Sequence, residues 1–253
     1  MIKITIIGSG NVAQHLIDAF AKSKTIDIVQ VFSRTQKHIS PYLDSGSIIS
    51  NWKDLAEADL YIIAVSDDAI ANVSAQLPFE NRLVVHTSGS APLTSLDSRN
   101  RQGVFYPLQT FTKGKEIDLH PVPFCLEAQF ESDYAILQKT ASAISDNIHK
   151  IDSHQRKALH VAAVFVNNFT NYLYQLGNEI CHENHVSFDI LKPLILETAE
   201  KLLTLSPKEA QTGPAKRNDI STIEAHESFL SNENQSTIYK ILTQSIQNHG
   251  KKL

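Results

Sequence analysis

The stretch IKITIIGSGNVAQHLIDAFA, residues 2–21, decides the fold because it joins an apolar run to an amphipathic pattern through two glycines. Residues 2–7 form an apolar, β-branched run, which is typical of a strand buried on both faces of a sheet. After the glycines, apolar side chains recur at helical spacing: Val12, Leu16, Ala19 and Phe20. The stretch therefore predicts a buried strand, a tight turn and a helix.

The turn has the spacing G-x-G-x-x-A, and its place between strand and helix is that of a dinucleotide-binding fingerprint. Gly8 permits the turn, Gly10 lets the backbone approach a pyrophosphate, and Ala13 lets the helix pack closely on the strand. A tight turn without a ligand is the alternative. The N–H groups at the helix start favour phosphate, so we expect cofactor contacts at Gly8, Ser9, Gly10, Asn11, Val12 and Ala13.

The type of residue at the end of the second predicted strand indicates whether a chain binds NAD or NADP(H). An acidic residue there would bind the ribose 2′-hydroxyl of NAD, but the chain has Ser33, Arg34 and Thr35, and Asp27 lies at the opposite end. A guanidinium between two hydroxyls suits a 2′-phosphate. The trio therefore favours NADP(H), and the alternative is a solvated arginine in a turn.

Two further strand ends are expected beside the cofactor. Val65 and Ser66 end the strand pattern of residues 58–66, and Ser66 or Asp67 is expected to cap the next helix. The segment HTSGS, residues 86–90, follows another strand, and we place Ser88 at the cofactor. His86 by itself is more often a satisfied core histidine than a functional one.

Composition narrows the class of protein. The 253 residues are 42% hydrophobic and 20% charged, with a net charge of -4, which gives no reason to expect a nucleic-acid or membrane partner. The two cysteines are far apart and show neither a disulfide nor a metal-ligand pattern. No apolar run approaches the roughly 20 residues that span a bilayer, and no signal-peptide pattern is present. We expect a cytoplasmic protein without a metal.

The pattern of elements changes along the chain. Strand and helix patterns alternate through about the first 150 residues, whereas only helices follow. We predict an α/β domain, residues 1–152, with a Rossmann-type, mostly parallel sheet and helices on both faces. Residues 153–253 are predicted to form an all-α domain, which begins with one long helix over 153–185.

Several motifs carry a family resemblance. SGNVA, SRT, AVSDDAI and HTSGS resemble the 6-phosphogluconate-dehydrogenase-like superfamily, and the N-terminal part is similar to pyrroline-5-carboxylate reductases and F420-dependent NADP oxidoreductases. FYPLQTF, HVAAVFVNNFTNYLY and QTGPAKRND resemble Rossmann-like oxidoreductases that end in a domain of unknown function, DUF2520. The resemblance implies the fold, an NADP(H) cofactor and a homodimer formed through the helical domain.

The long helix carries polar residues within an apolar segment. Residues 158–169 are apolar nearly all round, so we expect them to be buried. Four polar or aromatic residues follow one helix face, with Asn168 beside them: His160, Asn167, Asn171 and Tyr174. Buried polar groups need partners. The line is therefore either a hydrogen-bonded core network or the wall of a pocket that faces the cofactor.

The superfamily resemblance implies a catalytic lysine about one turn before an asparagine on this helix. Ala163 and Val164 occupy that place here, so the lysine is missing. His160 is the nearby acid–base candidate on the same face, and it would protonate a developing alkoxide or amine. We therefore assign catalytic roles to His160, Asn167 and, from the FYPLQTF motif, Gln109.

Two segments are candidates to complete a substrate pocket. Tyr106 and Gln109 are expected on the loop after a strand, where the alternative is a turn made rigid by Pro107. In QTGPAKRND, Arg217 either binds a substrate carboxylate or pairs with Asp219. Ser221 and Glu224 have the spacing of a capping box. The expected substrate-binding residues are Tyr106, Asn168, Asn171, Thr212, Arg217 and Asp219.

Together these features favour an NADP(H)-dependent oxidoreductase that transfers a hydride to or from a small carbonyl, hydroxy or imine compound in a cleft between the two domains. A binding protein of another class is the main alternative, namely a regulatory module that binds NADP(H) without turnover. A third hypothesis keeps the enzyme but gives it a deazaflavin or flavin electron carrier as the second substrate.

Overall fold

The computed structural model describes residues 1–35 and 40–251, with the backbone alone at Ser45 and residues 249–251. Within these residues, eight strands form one sheet in the order β3-β2-β1-β4-β5-β6-β7-β8. Neighbouring strands are parallel except β6 and β7, which are antiparallel. The strands are β1 Ile2–Ile7, β2 Ile26–Phe32, β3 Ile48–Ile49, β4 Leu60–Ile63, β5 Leu83–His86, β6 Arg101–Pro107, β7 Phe124–Ala128 and β8 Ile148–Lys150. This Rossmann-type arrangement confirms the predicted fold class.

The helices follow the predicted division between a mixed and a helical region. In the described part of the chain, three α-helices alternate with the strands: α1 Asn11–Ala21, α2 Ile70–Ala75 and α3 Glu131–Ala141. The long helix consists of α4 Ser153–Ala163, a π-helical segment Val164–Phe169 and α5 Thr170–Glu183. The remaining described α-helices are α6 Lys192–Glu200, α7 Pro207–Ala210, α8 Pro214–Arg217, α9 Ile220–Phe229 and α10 Glu233–Lys251.

Strand β1 is buried on both faces because its apolar side chains alternate between two cores. Ile4 and Ile6 belong to a core that contains Leu16 and Phe20 of α1. Ile7 belongs to the opposite core, with Ile70 of α2. Residues 4–7 are all buried, which is expected of a parallel strand that is covered on both faces.

The backbone packs as two compact units, residues 1–165 and residues 166–253. The division falls within the π-helical segment, so α4 packs with the sheet, and Leu159 contacts a small core at Val104 and Tyr106. The sequence places the start of the helical domain at Ser153, where the long helix begins. That earlier boundary stays a prediction.

The expectation that residues 158–169 are buried is wrong for the single chain. Val161 is 51% exposed, and Val166 is 75% exposed. Apolar composition favours removal from water, but burial within one chain also needs enough neighbouring residues to cover the helix. The π-helical segment also interrupts the 3.6-residue spacing from which one continuous polar face was predicted.

Candidate functional site

A cavity of about 1080 Å³ lies at the carboxyl ends of β1, β2 and β4. Its walls include the turn after β1, the segment after β2, and residues after β4. Strand order reverses between β1 and β4, and open parallel sheets bind ligands at such a reversal. The cavity therefore lies where the glycine spacing predicted a nucleotide.

Position 8 requires a glycine because the backbone conformation and the neighbouring strand leave no room for a side chain. Its φ of 130° lies in the region that side chains rarely adopt, and a Cβ there would stand 2.1 Å from the carbonyl oxygen of Ala64. Its N–H donates to the carbonyl of Phe32 at 3.0 Å. Gly8 thus lets β1 turn directly against the continuation of β4.

Gly10 stands at the N-cap of α1 beside open space. A Cβ at this position would meet no described atom within 4 Å, and no described side chain caps the helix. The first-turn N–H groups of α1 are therefore available to an anion, which fits a phosphate at this end of the cavity. Asn11 and Val12 also line the cavity, whereas Ala13 is fully buried under the turn.

The segment after β2 forms a part of the cavity wall that adjoins the glycine turn. Ser33 is 3% exposed, and its hydroxyl donates to Ser9 Oγ at 3.2 Å and lies 3.4 Å from Thr35 Oγ1. Arg34 is exposed, lines the cavity and forms no ion pair with any described residue. Asp27 pairs in register with Lys3 at the other end of the strand. The described end of β2 thus offers a cation and hydroxyls instead of a carboxylate.

Val65 and Ser66 line the cavity as expected, but the expected helix cap is wrong. Ser66 precedes a 3₁₀ turn over residues 67–69, and its side chain makes no capping hydrogen bond. The Asp67 carboxylate instead accepts a hydrogen bond from the hydroxyl of Ser90. This bond ties the cavity wall to the loop after β5, a partner that local sequence does not show.

Ser88 holds its own loop together. It is 7% exposed, and its hydroxyl oxygen accepts from the N–H groups of Ser90 at 3.1 Å and Ala91 at 2.9 Å. Ser88 is not among the described residues that line the cavity. Its predicted contact with the cofactor stays a prediction.

His86 is a satisfied core histidine, the reading that the sequence favoured. Its Nδ1 accepts from the Ser88 N–H at 3.1 Å, and Nε2 lies 3.3 Å from the carbonyl of Pro92, which assigns the ring proton to Nε2. Burial, aided by the charge of Arg156, lowers the pKa of His86 to about 4. A neutral, fully paired ring is structural.

Tyr106 lies within β6 and not on the loop that follows, so its expected position is corrected. The antiparallel pairing with β7 extends to Pro107, and Tyr106 is 9% exposed. Its hydroxyl lies 3.2 Å from Nδ1 of His160 on α4. Burial, with a smaller contribution from Cys125, raises the pKa of Tyr106 to about 12, so the phenol is protonated at neutral pH.

Gln109 follows the end of β6 and lines the cavity. Its N–H donates to the Pro107 carbonyl at 3.0 Å, and its Oε1 accepts from the Thr110 N–H at 2.7 Å. These bonds form the rigid turn that the sequence offered as the alternative. Gln109 therefore combines a structural turn with a place on the cavity wall.

The other predicted substrate residues belong to the second compact unit. Asn167, Asn168 and Asn171 are exposed there. Arg217 pairs with Asp219 at 3.9 Å on the surface. The catalytic role of Asn167 stays a prediction, as do the substrate-binding roles of Asn168, Asn171, Thr212, Arg217 and Asp219.

The capping box predicted at Ser221 and Glu224 is wrong. Asp219 is the N-cap of α9, and its carboxylate accepts from the N–H of Thr222 at 3.3 Å and from the Thr222 hydroxyl at 2.9 Å. The helix starts at Ile220, so Ser221 already lies inside it. The Asp219 carboxylate caps the helix from one residue before it, through the N–H group at the third helical position.

Trp52 is a cavity residue that sequence reasoning missed. Its ring stacks on Phe32 at 3.6 Å and 9°, and its Nε1 donates to Gln76 Oε1 at 2.8 Å. All three residues line the cavity. The signal in the sequence is the single tryptophan of the chain, but its contacts depend on the fold bringing Phe32 and Gln76 to the same place.

Among residues 1–35 and 40–251, no group of three His, Cys, Asp or Glu side chains is arranged to hold a metal ion. No helix in the described part of the chain is long and apolar enough to cross a membrane.

A mostly parallel sheet, a glycine turn at the point of strand reversal and an uncapped helix start define a Rossmann-type fold, the class in which dinucleotides bind at this turn. Residues 3–89 match the model of coenzyme F420-dependent NADP oxidoreductases, and residues 122–246 match DUF2520, a domain of unknown function. The chain is 37% identical to BF3122, a candidate NADP oxidoreductase from Bacteroides fragilis, over 98% of each chain with a TM-score of 0.86. It belongs to this family of Rossmann-type NADP oxidoreductases with a DUF2520 region.

More distant solved structures share the fold. Protein TM1727 from Thermotoga maritima is 19% identical with a TM-score of 0.73. A pyrroline carboxylate reductase from Plasmodium falciparum, solved with NADP bound, is 14% identical with a TM-score of 0.62. In both cases 98% of each chain is covered. No curated protein matches the chain.

Proposed function

We propose that this protein is an NADP(H)-dependent oxidoreductase that acts on a small carbonyl, hydroxy or imine compound. The observation that carries the proposal is the cavity, which combines the uncapped start of α1 with the cation Arg34. NADPH would supply the hydride. The protein residues bind the phosphates, orient the cofactor and provide a proton.

Two parts of the cavity wall support the proposed preference for NADP(H). The first-turn N–H groups of α1 hold the pyrophosphate beside Gly10, where a side chain would occupy the open space. Arg34 offers its guanidinium to the 2′-phosphate, and its chain neighbours Ser33 and Thr35 add two hydroxyls that lie 3.4 Å apart. An adenosine without the 2′-phosphate would lose this charged contact.

His160 is the proposed proton donor. The superfamily lysine is replaced by Ala163 or Val164, and Tyr106 places its hydroxyl against the His160 ring. A histidine donates a proton at neutral pH to an oxygen or nitrogen that gains negative charge. Gln109, on the cavity wall, is proposed to orient the substrate.

Calorimetric titration with NADPH and NADH tests the cofactor, with Arg34→Ala as the decisive variant. Loss of a charged, forked contact of about 1.5–3 kcal/mol should weaken NADPH binding about 10- to 100-fold and leave NADH binding nearly unchanged. Lys139→Ala is the matched control, because it removes one exposed positive charge that does not line the cavity. Failure of the wild type to bind either nucleotide would refute the proposed function.

Two alternatives have observations in their favour. The absent lysine at Ala163 and Val164 favours an NADP(H)-binding regulatory module without turnover. The match of residues 3–89 to the F420-dependent family model favours a deazaflavin or flavin electron carrier as the second substrate. NADPH oxidation with a deazaflavin, a flavin and a panel of small carbonyl compounds separates the three proposals, since the regulatory module would oxidise NADPH with none of them.

We also propose a homodimer, as the family resemblance implied. Exposed apolar side chains are frequent between residues 161 and 205, and Val166, Ile190 and Leu203 are 75%, 69% and 84% exposed. Large exposed apolar patches are uncommon on monomeric proteins and mark interaction surfaces. A second copy of the chain, with the same apolar side chains, would remove them from water.

A further inference from the structure

Tyr106 and His160 are 54 positions apart in the chain, yet they form a close pair. The phenol hydroxyl lies 3.2 Å from Nδ1 of the imidazole, and the two rings meet edge to face with centroids 6.1 Å apart. Neither residue is among those described as lining the phosphate-binding cavity. The pair therefore needs an explanation other than cofactor binding.

The pair stands against the loop after β5. A Cβ on Gly89 would lie 2.6 Å from His160 Nδ1 and 2.8 Å from the Tyr106 hydroxyl, so a glycine is needed for the two rings to meet here. The next residue, Ser90, donates to Asp67, whose neighbours Ser66 and Asp68 line the cavity. Through this loop, the pair is connected to the wall of the proposed cofactor site.

The second anchor of this region is Arg156, one turn before His160 on α4. Arg156 is 1% exposed, pairs with Glu127 of β7, and donates to the carbonyl of Ala91 at 2.7 Å. It thereby ties α4 to the same loop that carries Gly89. The position of the His160 ring relative to Tyr106 is thus determined by packing from three elements.

The hydrogen-bond partners of the two rings determine which of them donates to the other. Among the described residues, His160 Nδ1 is the sole hydrogen-bond partner of the Tyr106 hydroxyl. The phenol keeps its proton because burial raises the pKa of Tyr106, and a buried donor without a partner is unfavourable. The phenol therefore donates, Nδ1 accepts, and a neutral His160 carries its proton on Nε2.

We propose that Tyr106 is a positioning residue that holds His160 in the tautomer with the proton on Nε2, ready for donation to the substrate. This inference rests on the proposed function. In the reduction, the Nε2–H bond breaks as the proton moves to the substrate oxygen or nitrogen, and the phenol proton moves to Nδ1. The phenolate, which is less basic than the alkoxide it replaces, then takes a proton from water.

Nitrogen-15 NMR of the imidazole side chains tests the tautomer without any substrate or cofactor. The His160 signals are assigned by their loss in His160→Gln, since the chain has 11 histidines. In the wild type, Nε2 should be protonated and Nδ1 unprotonated. Tyr106→Phe, which keeps the ring, should shift His160 towards a mixture of tautomers.

Tyr239→Phe is a matched control within the same chain. The Tyr239 hydroxyl lies 2.9 Å from Nδ1 of His226, with the rings 5.7 Å apart at 77°, so this variant removes the same type of contact elsewhere. It should leave the His160 signals unchanged. Gly89→Ala should alter them as Tyr106→Phe does, because the added methyl separates the rings while both remain present.

The outcomes separate this inference from the proposed function. A wild-type His160 protonated on Nδ1, or an unchanged His160 tautomer in Tyr106→Phe, would overturn the inference whatever the protein catalyses. With any carbonyl or imine compound that supports NADPH oxidation, Tyr106→Phe should lower kcat at least about 10-fold while the Kd of NADPH stays within about twofold. An unchanged kcat would overturn the relay, whereas absent NADPH binding would refute the proposed function alone.

Discussion

At the residue scale, Gly8 and Gly10 serve different purposes although they belong to one motif. Gly8 is held by a positive φ and by the carbonyl of Ala64, whereas Gly10 has an ordinary conformation and faces open space. The motif therefore combines one requirement of the fold with one requirement of a ligand.

Alanine substitutions should separate these two requirements. Gly8→Ala should lower the free energy of unfolding by at least about 3 kcal/mol, because strain and a clash with Ala64 add together. Gly10→Ala should cost less than about 1 kcal/mol but weaken NADPH binding at least about 10-fold. Urea unfolding and calorimetry measure the two effects. Normal NADPH affinity in a folded Gly10→Ala variant would contradict the placement of phosphate.

The lowered pKa of His86 predicts that the free energy of unfolding depends on pH. Its pKa falls from the ordinary 6.5 to about 4 on folding, so the unfolded chain binds the proton more tightly. The contribution of His86 to the free energy of unfolding should be complete above pH 6.5 and should decrease as the pH falls. By pH 4 this one group should have lowered the free energy of unfolding by about 3 kcal/mol. His86→Gln should flatten that part of the profile of unfolding free energy against pH. Parallel profiles for wild type and variant would contradict this assignment.

At the scale of elements, helix α4 is attached to the sheet through its polar side chains. Arg156 pairs with Glu127, and Ser153 donates to both oxygens of the same carboxylate at 2.8 and 2.9 Å. The start of the helix is closed by a capping box between Asp152 and Gln155. These contacts keep α4 with the first compact unit.

Removal of the buried arginine should be costly. Arg156→Met leaves Glu127, which is 18% exposed, without its cation, and should lower the free energy of unfolding by about 3–5 kcal/mol. Arg82→Met is the control, since Arg82 forms an exposed ion pair with Glu57 and should change stability by less than about 1 kcal/mol. Chemical denaturation measures both variants. Equal losses would show that burial does not set the strength of the pair.

At the scale of the whole molecule, the exposed apolar surface of the helical region is the proposed dimer interface. Val166→Asp introduces a charge at a position that is 75% exposed, so a folded monomer tolerates it, whereas an apolar interface does not. Sedimentation should show a dimer for the wild type and a monomer for Val166→Asp. Tyr42→Asp, at a position 51% exposed in the first unit, should remain dimeric. A monomeric wild type at high concentration would refute the proposal.

Local patterns in the sequence predicted the elements and their class. The apolar run of β1, the glycine turn and the helical spacing of α1 act between near neighbours, so they are visible without tertiary contacts. The end of the second strand can also be read locally, because Ser33, Arg34 and Thr35 stand there where NAD-binding chains have a carboxylate. For this reason, the predicted place of the nucleotide coincides with the cavity, although cofactor binding itself stays a prediction.

The tertiary structure alone decided the contacts between distant residues. Tyr106 meets His160, Asp67 meets Ser90, and Trp52 stacks on Phe32 because strand order and helix packing bring separate segments together. The spacing of Ser221 and Glu224 predicted the wrong cap for α9, and the apolar composition of residues 158–169 predicted a burial that the single chain does not provide. The sequence by itself therefore determined the Rossmann-type order of strands and helices. The side-chain pairs of the site, and the exposure of the long helix, depend on packing between elements that no local pattern encodes.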